Sequence, residues 1–225
     1  MKYSVKEIIK NTYLLTFEEH YDLAMFFLRY QEYYESNFPD FKGKAFTIID
    51  FMERYAKFRK GCFSYCDDFA GWNIPSSVID DVTALGIPDP NKYDAEIFKL
   101  HTYLKEKSDK YYLIGVSRKN NENAINHELA HALFYHVPEY KEKMLELVTK
   151  LPKKFSKKMD RFLKNGYSED VFDDEKQAYL STTKISIAAD KNWVEWLDHN
   201  KEFKKVFKKY KKENLIKSIT HSQKQ

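Results

Sequence analysis

Residues 127 to 131 read His-Glu-Leu-Ala-His, and no other stretch of the chain restricts its local structure so tightly. An α-helix is the backbone that turns two imidazoles four residues apart toward one metal ion. At about 100° per residue they lie about 40° apart around the axis and about 6 Å apart along it. Glu128 sits one residue along from His127, suited to hold a metal-associated water but poorly placed to be a ligand beside both histidines. Metal, base and water in this relation are the elements of a zinc hydrolase.

The flanking residues agree with a helix. The segment from Asn120 to His136 opens on an Asn pair able to cap, has Glu122 in its first turn, and meets no Gly or Pro before Pro138. Ile125, Leu129, Ala132 and Leu133 recur at helical spacing, while His127, His131 and Tyr135 line a different face. One face can pack and the other can border a cleft.

With six Gly and six Pro in 225 residues, and 17 Tyr and 17 Phe to fill a core, the chain is expected to be a predominantly helical α+β protein, one domain over 1–225. Three parts are distinguished within it: a mainly helical 1–108, a metal-site core over 109–185, and a basic helix or tail over 200–225. Helices are expected over 17–35, with Phe17, Tyr21, Ala24, Met25 and Leu28 as its apolar stripe, and over 44–60 and 94–107. Others begin at Pro75, at Pro138 running to about Lys150, and around Phe155, Met159 and Phe162 up to Gly166. Residues 61–75 fit no element clearly. Lys110 to Ser117 is the best strand, rich in β-branched and aromatic residues, and it immediately precedes the motif helix.

Cys62 and Cys66 form neither a disulfide framework nor a four-cysteine zinc site, and are expected as buried free thiols. No apolar run approaches 18 residues, and the N-terminus lacks the apolar core and cleavage site of a secretory signal, so the expectation is an intracellular protein without a membrane span.

A catalytic zinc needs a third protein ligand. A continuation of the motif to a Gly and a third His is absent, since Phe134 and Val137 stand at those positions, and His136 is about 140° around the helix from His131. The alternative is a carboxylate on a later helix. In Asp173-Asp-Glu-Lys-Gln-Ala-Tyr-Leu180 the residues Glu175, Ala178, Tyr179 and Thr182 share a face, and Glu175 is the candidate ligand. Asp174 and Asp173 are its substitutes. An acidic cluster at a helix start is also favoured by the helix dipole without any metal.

With these residues the chain resembles the zincin metallopeptidases, in particular the gluzincins, in which a helical His-Glu-x-x-His is completed by a Glu on a later helix. The resemblance covers roughly residues 109 to 185. It implies a zinc-dependent peptidase acting on peptide or protein substrate, with His127, His131 and Glu175 as metal ligands and Glu128 as general base. It also implies an edge strand before the motif helix that pairs with extended substrate, at Lys110 to Ser117. Tyr179 and Tyr167 are candidate donors to the developing oxyanion, and Asp170, Asp173 and Asp174 are available to orient the histidines.

Residues 200 to 225 carry nine Lys against two Glu. Within 201–212, Phe203, Val206, Phe207 and Tyr210 form an apolar stripe, so an amphipathic helix docked on the body with a solvated lysine face is expected. Contact with an anionic membrane surface or nucleic acid is the rival use of that face, and the absence of Arg argues against base-specific recognition. Two other functions therefore stand beside the peptidase: a catalytically silent zincin fold used for binding, and an anionic-surface binder in which the motif is accidental.

Overall fold

The structure is a computed structural model that describes residues 1–118, 122–183 and 191–216. The Asn pair expected to cap the motif helix lies outside the described residues. Four strands, β1 (Tyr3–Ile9), β2 (Thr12–Phe17), β3 (Gly71–Pro75) and β4 (Tyr112–Ser117), form one sheet in the order β1-β2-β4-β3. The described helices are α1 (His20–Glu35), α2 (Ile48–Phe58), α3 (Tyr65–Asp68), α4 (Ser76–Leu85), α5 (Lys92–Lys105), α6 (Glu122–His136), α7 (Pro138–Thr149), α8 (Lys153–Leu163), α9 (Phe172–Thr182) and α10 (Lys191–Asn214). The protein is α+β and mostly helical, with a small mixed sheet.

β1 and β2 form an antiparallel hairpin that the sequence reading does not anticipate. Its turn needs a left-handed residue, and Asn11 takes φ 59° there, a conformation Asn tolerates better than most side chains. Phe17 therefore ends a strand instead of opening a helix, and the helix starts at His20. Nor does α1 follow the expected single stripe. Leu23 through Tyr30 are all buried while Tyr21 is exposed, because α1 is covered on more than one side.

β2 runs parallel to β4, and β4 runs antiparallel to β3. β4 is thus interior and β3 is the edge, which corrects the expectation that Lys110 to Ser117 would be the edge strand. The strands that flank β4 come from residues 12–17 and 71–75, so the expected N-terminal part and metal-site core share one sheet. Along β4 the side chains alternate between two apolar layers, Tyr111 and Leu113 toward one, Tyr112 and Ile114 toward the other. The first layer includes α1, α2, α4 and α5; the second includes α6 to α10. Gly115 faces the first, where a Cβ would lie 2.3 Å from a ring carbon of Phe27. Its missing side chain lets α1 lie against the sheet.

Pro75 is the last residue of β3 and the N-cap of α4, one position before its expected place at the first helical residue. In α8 the buried face is Phe155, Met159 and Leu163, and Phe162 is exposed. Cys62 is exposed and Cys66 half-buried, both free thiols, so neither is the fully buried thiol expected. In α10, Phe203 and Phe207 are buried and Val206 and Tyr210 pack partly against the second layer, as the amphipathic pattern requires. No described helix is long and apolar enough to cross a membrane.

Candidate metal centre

Helices α6 and α9 pack together, and the contact brings His127, His131 and Glu175 to one point. One ligand atom from each lies within 4.8 Å of the others. The two Nε2 atoms are 3.3 Å apart, His131 Nε2 is 3.5 Å from Glu175 Oε1, and His127 Nε2 is 3.7 Å from Glu175 Oε2. Glu175 is 2% exposed and its Oε2 is buried without a hydrogen bond. Leaving a buried carboxylate oxygen unsatisfied is costly, and a cation between the three groups removes that cost. Among the described residues this is the group able to hold a metal ion.

The outward-facing ring nitrogens fix which lone pairs point inward. His131 Nδ1 is 2.9 Å from Asp174 Oδ1, a carboxylate that can only accept, so Nδ1 carries the proton. His127 Nδ1 lies 3.4 Å from Thr182 Oγ1, whose own proton goes to the carbonyl of Ala178 at 2.7 Å. The hydroxyl therefore accepts from His127. In both rings the neutral tautomer leaves Nε2 with a free lone pair, as metal-binding histidines require. Buried Gln177 donates to Asp174 at 2.8 Å and accepts from Tyr140 at 2.8 Å, which locks the support for His131 into the second layer. Burial pulls the pKa of His131 down, but Asp174, Glu175 and Glu128 outweigh it and hold it well above the ordinary value in the metal-free protein.

Of the acidic residues proposed to orient the histidines, only Asp174 does so. Asp170 pairs with Lys42 and Asp173 with Lys176, so Asp173 is not a substitute ligand, and Asp174 serves the outer nitrogen instead of the metal side. His136 packs beside Tyr112 and Tyr135, away from the site, as its azimuth on the helix dictates.

Glu128 is 5% exposed and points at the edge strand. Its Oε2 accepts from Asn73 Nδ2 at 2.6 Å, and Asn73 Oδ1 accepts from the hydroxyl of Tyr112. Tyr112 thereby fixes which end of the Asn73 amide meets Glu128. Burial pushes the Glu128 carboxyl above its usual range, against the opposing pull of His127, His131 and Asn73. A Cβ on Gly71 would stand 2.6 Å from Glu128 Oε1 and 3.0 Å from its Cγ, so only glycine leaves the carboxylate where it is.

A cleft of about 460 Å³ opens over these groups, bordered by Gly71, Trp72 and Asn73 of β3, by α6 and by α9. Tyr179 meets His127 edge to face with centroids 4.7 Å apart. Tyr167 shares a hydrogen bond with Tyr179, and both phenols line the cleft. His127, Glu128, His131, Tyr167, Glu175 and Tyr179 are thus on this cleft, and Asp170, Asp173 and Asp174 are not among its lining residues. Comparison of the chain with family models, with curated proteins and with solved structures gives no match. The site's own chemistry therefore carries the functional argument.

Sequence reading did not find Asn73, Tyr112, Gly71, Glu32 or Glu35, the last two being buried carboxyls of α1 that also line the cleft. Burial pushes Glu32 up to about 7 and Glu35 well above the carboxylate range, the latter reinforced by Glu175.

Gly71→Ala is the mildest way to move Glu128 without changing its chemistry. On a zinc-hydrolase reading of the centre, metal content is expected to persist and kcat to fall about tenfold to a hundredfold, since a displacement near 1 Å can cost that much. Metal analysis and steady-state kinetics on the same preparation check both.

Proposed function

We propose that the chain is a zinc-dependent peptidase of zincin type, close to the gluzincin arrangement, with His127, His131 and Glu175 as ligands and Glu128 as general base. The carrying observation is the spacing of the three ligand atoms. Ligands bound to a tetrahedral zinc at about 2.0–2.1 Å stand about 3.4 Å from one another; here the two Nε2 atoms are 3.3 Å apart, His131 Nε2 is 3.5 Å from Glu175 Oε1 and His127 Nε2 is 3.7 Å from Glu175 Oε2, and one ligand atom from each residue lies within 4.8 Å of the others. The donor set of two imidazoles and a carboxylate, with one side left open to a cleft, suits catalytic zinc better than a closed structural site.

Zinc, when bound, supplies Lewis acidity, which polarises a carbonyl and makes water a nucleophile near neutral pH. Glu128 takes the proton of the attacking water and delivers it to the leaving amine. Asn73 holds the carboxylate still through the first transfer. Tyr179 is the donor to the oxygen that gains charge, steadied by Tyr167. Among the described strands β3 has a partner on one side only, so its outer backbone edge can pair with an extended peptide lying in the cleft.

The test is metal analysis joined to a cleavage screen. One zinc per chain is expected, with hydrolysis of members of a quenched-fluorescence peptide library that stops on chelation and returns with added zinc. Absence of zinc after supplementation would overturn the metal centre. Zinc without cleavage of any peptide would make the chain a zincin-like binding module.

A further inference from the structure

Tyr167 sits on the segment that joins α8 to α9, residues 164–170, which read Lys-Asn-Gly-Tyr-Ser-Glu-Asp. Leu163 and Val171 are buried at its two ends, but between them Tyr167 is the one aromatic side chain and there is no Leu, Ile, Val or Met. A stretch with so little apolar side chain to bury is easily displaced, so polar contacts have to set where the phenol stands. The amides of Gly166 and Tyr167 both donate to the carbonyl of Leu163 at 2.9 Å. Those bonds shape the turn without placing it against the cleft.

The placing contacts come from the end of α1 and the turn after it. The carbonyl of Glu35 accepts from the amide of Ser168 at 3.2 Å, and Asn37 Nδ2 donates to the carbonyl of Asn165 at 3.1 Å. Lys42 Nζ donates to Ser168 Oγ at 2.6 Å and also to Asp170, to which Ser168 is itself hydrogen-bonded. Ammonium, hydroxyl and carboxylate thus close a triangle directly after Tyr167.

Lys42 stands on a stiff base. Its amide and that of Phe41 donate to the carbonyl of Phe38 at 3.2 and 3.0 Å, and the amide of Gly43, at φ 67°, donates to the carbonyl of Tyr33 at 2.9 Å. Phe38 and Phe41 are buried in the first apolar layer, so Lys42 ties the segment carrying Tyr167 to the half of the molecule that contains α1. Its side chain is 30% exposed and that of Asp170 62%, and a pair so exposed contributes at most about 1 kcal/mol to folding. Its consequence is therefore one of position: Tyr167 is hydrogen-bonded to Tyr179, the donor named above for the developing oxyanion.

We infer that Lys42 is a positioning residue for the proposed hydrolysis, setting through Ser168 and Asp170 where Tyr167, and with it Tyr179, stands in the cleft. The inference rests on the proposed peptidase reading, and it extends the working site to the turn between α1 and α2, which does not touch the metal centre.

The experiment compares full-length, zinc-loaded wild type with Lys42→Met, Lys42→Arg, Tyr167→Phe and the double variant Lys42→Met/Tyr167→Phe. Lys42→Met is expected to lower kcat about tenfold, part of the hundredfold that a 1 Å misplacement can cost, with KM and zinc content unchanged and Tm lower by no more than about 4 °C. Lys42→Arg, which keeps a charged donor for both partners, should recover most of kcat. In the Tyr167→Phe background Lys42→Met should cost no more than about twofold further, because two changes acting through one group do not add. Losses that multiply, or an unchanged kcat in Lys42→Met, overturn the inference and leave the peptidase reading standing. A readout without substrate separates the converse case: in NMR spectra of ring-labelled tyrosine, with signals assigned by Tyr167→Phe and Tyr179→Phe, Lys42→Met should move both resonances and Lys42→Arg neither. Resonances that stay in place in Lys42→Met overturn the positioning role whether or not the protein cleaves peptides. If wild type cleaves none, the peptidase reading falls and the two resonances alone decide whether Lys42 places the tyrosine pair.

Discussion

Glu128→Gln is expected to lower kcat for peptide hydrolysis about 10³-fold, within the range that removal of a general base costs, while zinc stays at one per chain. The substitution is close to isosteric, and an amide oxygen can still accept from Asn73 Nδ2, so the 2.6 Å contact and the wall of the cleft survive. What is lost is the ability to take a proton. KM should change little, because the side chain is 5% exposed and directed at β3. Retention of wild-type kcat by the zinc-loaded variant would remove Glu128 from the chemistry, and loss of zinc together with activity would mean that its role is to hold the metal site in shape. Kinetics and metal content measured on one preparation distinguish the three outcomes.

This experiment separates local from non-local information in the chain. His127, Glu128 and His131 are legible because one helix contains them, and the period of the helix fixes their relation. The face of α9 carrying Glu175, Tyr179 and Thr182 is legible for the same reason. Asn73 is not. Its contact with Glu128 depends on β3 pairing with β4, a register of Asn73 on Ile114 that nothing within residues 71–75 specifies. A five-residue segment holding Gly, Asn and Pro resembles a loop by composition. It becomes an edge strand because its other residues, Trp72 and Ile74, are buried against α1's layer and because no described strand pairs with its outer side.

The N-terminal hairpin was hidden by a different ambiguity. Phe17 stands four residues before Tyr21, a helical interval, yet the run Thr12 to Phe17 is also β-branched and aromatic. Pairing with β4 along its whole length decides in favour of strand. Glu32 and Glu35 were invisible for a third reason: α1 is buried on more than one side, so polar residues in it carry no amphipathic signal, and only the cleft explains them.

Glu175→Ala is expected to weaken zinc binding by about 3 kcal/mol, roughly a hundredfold or more, if each ligand carries about a quarter of the 10–16 kcal/mol typical of a protein zinc site. The clearest readout is thermal. A ligand that binds only the folded state stabilises it by about 4 kcal/mol at a thousand times its Kd, so wild-type protein should show a large rise in Tm on zinc addition, and Glu175→Ala, at about ten times its weakened Kd, a rise about a third as large at the same concentration. The metal-free forms provide the control. Glu175 is 2% exposed with Oε2 unsatisfied, so its removal takes away a buried carboxylate and leaves His131 still bonded to Asp174 at 2.9 Å. The fold should therefore survive, and near-UV circular dichroism of the two metal-free proteins should coincide. Full zinc-induced stabilisation in Glu175→Ala would show that the metal is held by His127 and His131 with some other group. Asp174 is the acidic neighbour already at hand, and its release from His131 Nδ1 would then appear as a loss of stabilisation in Asp174→Asn as large as the one predicted here for Glu175.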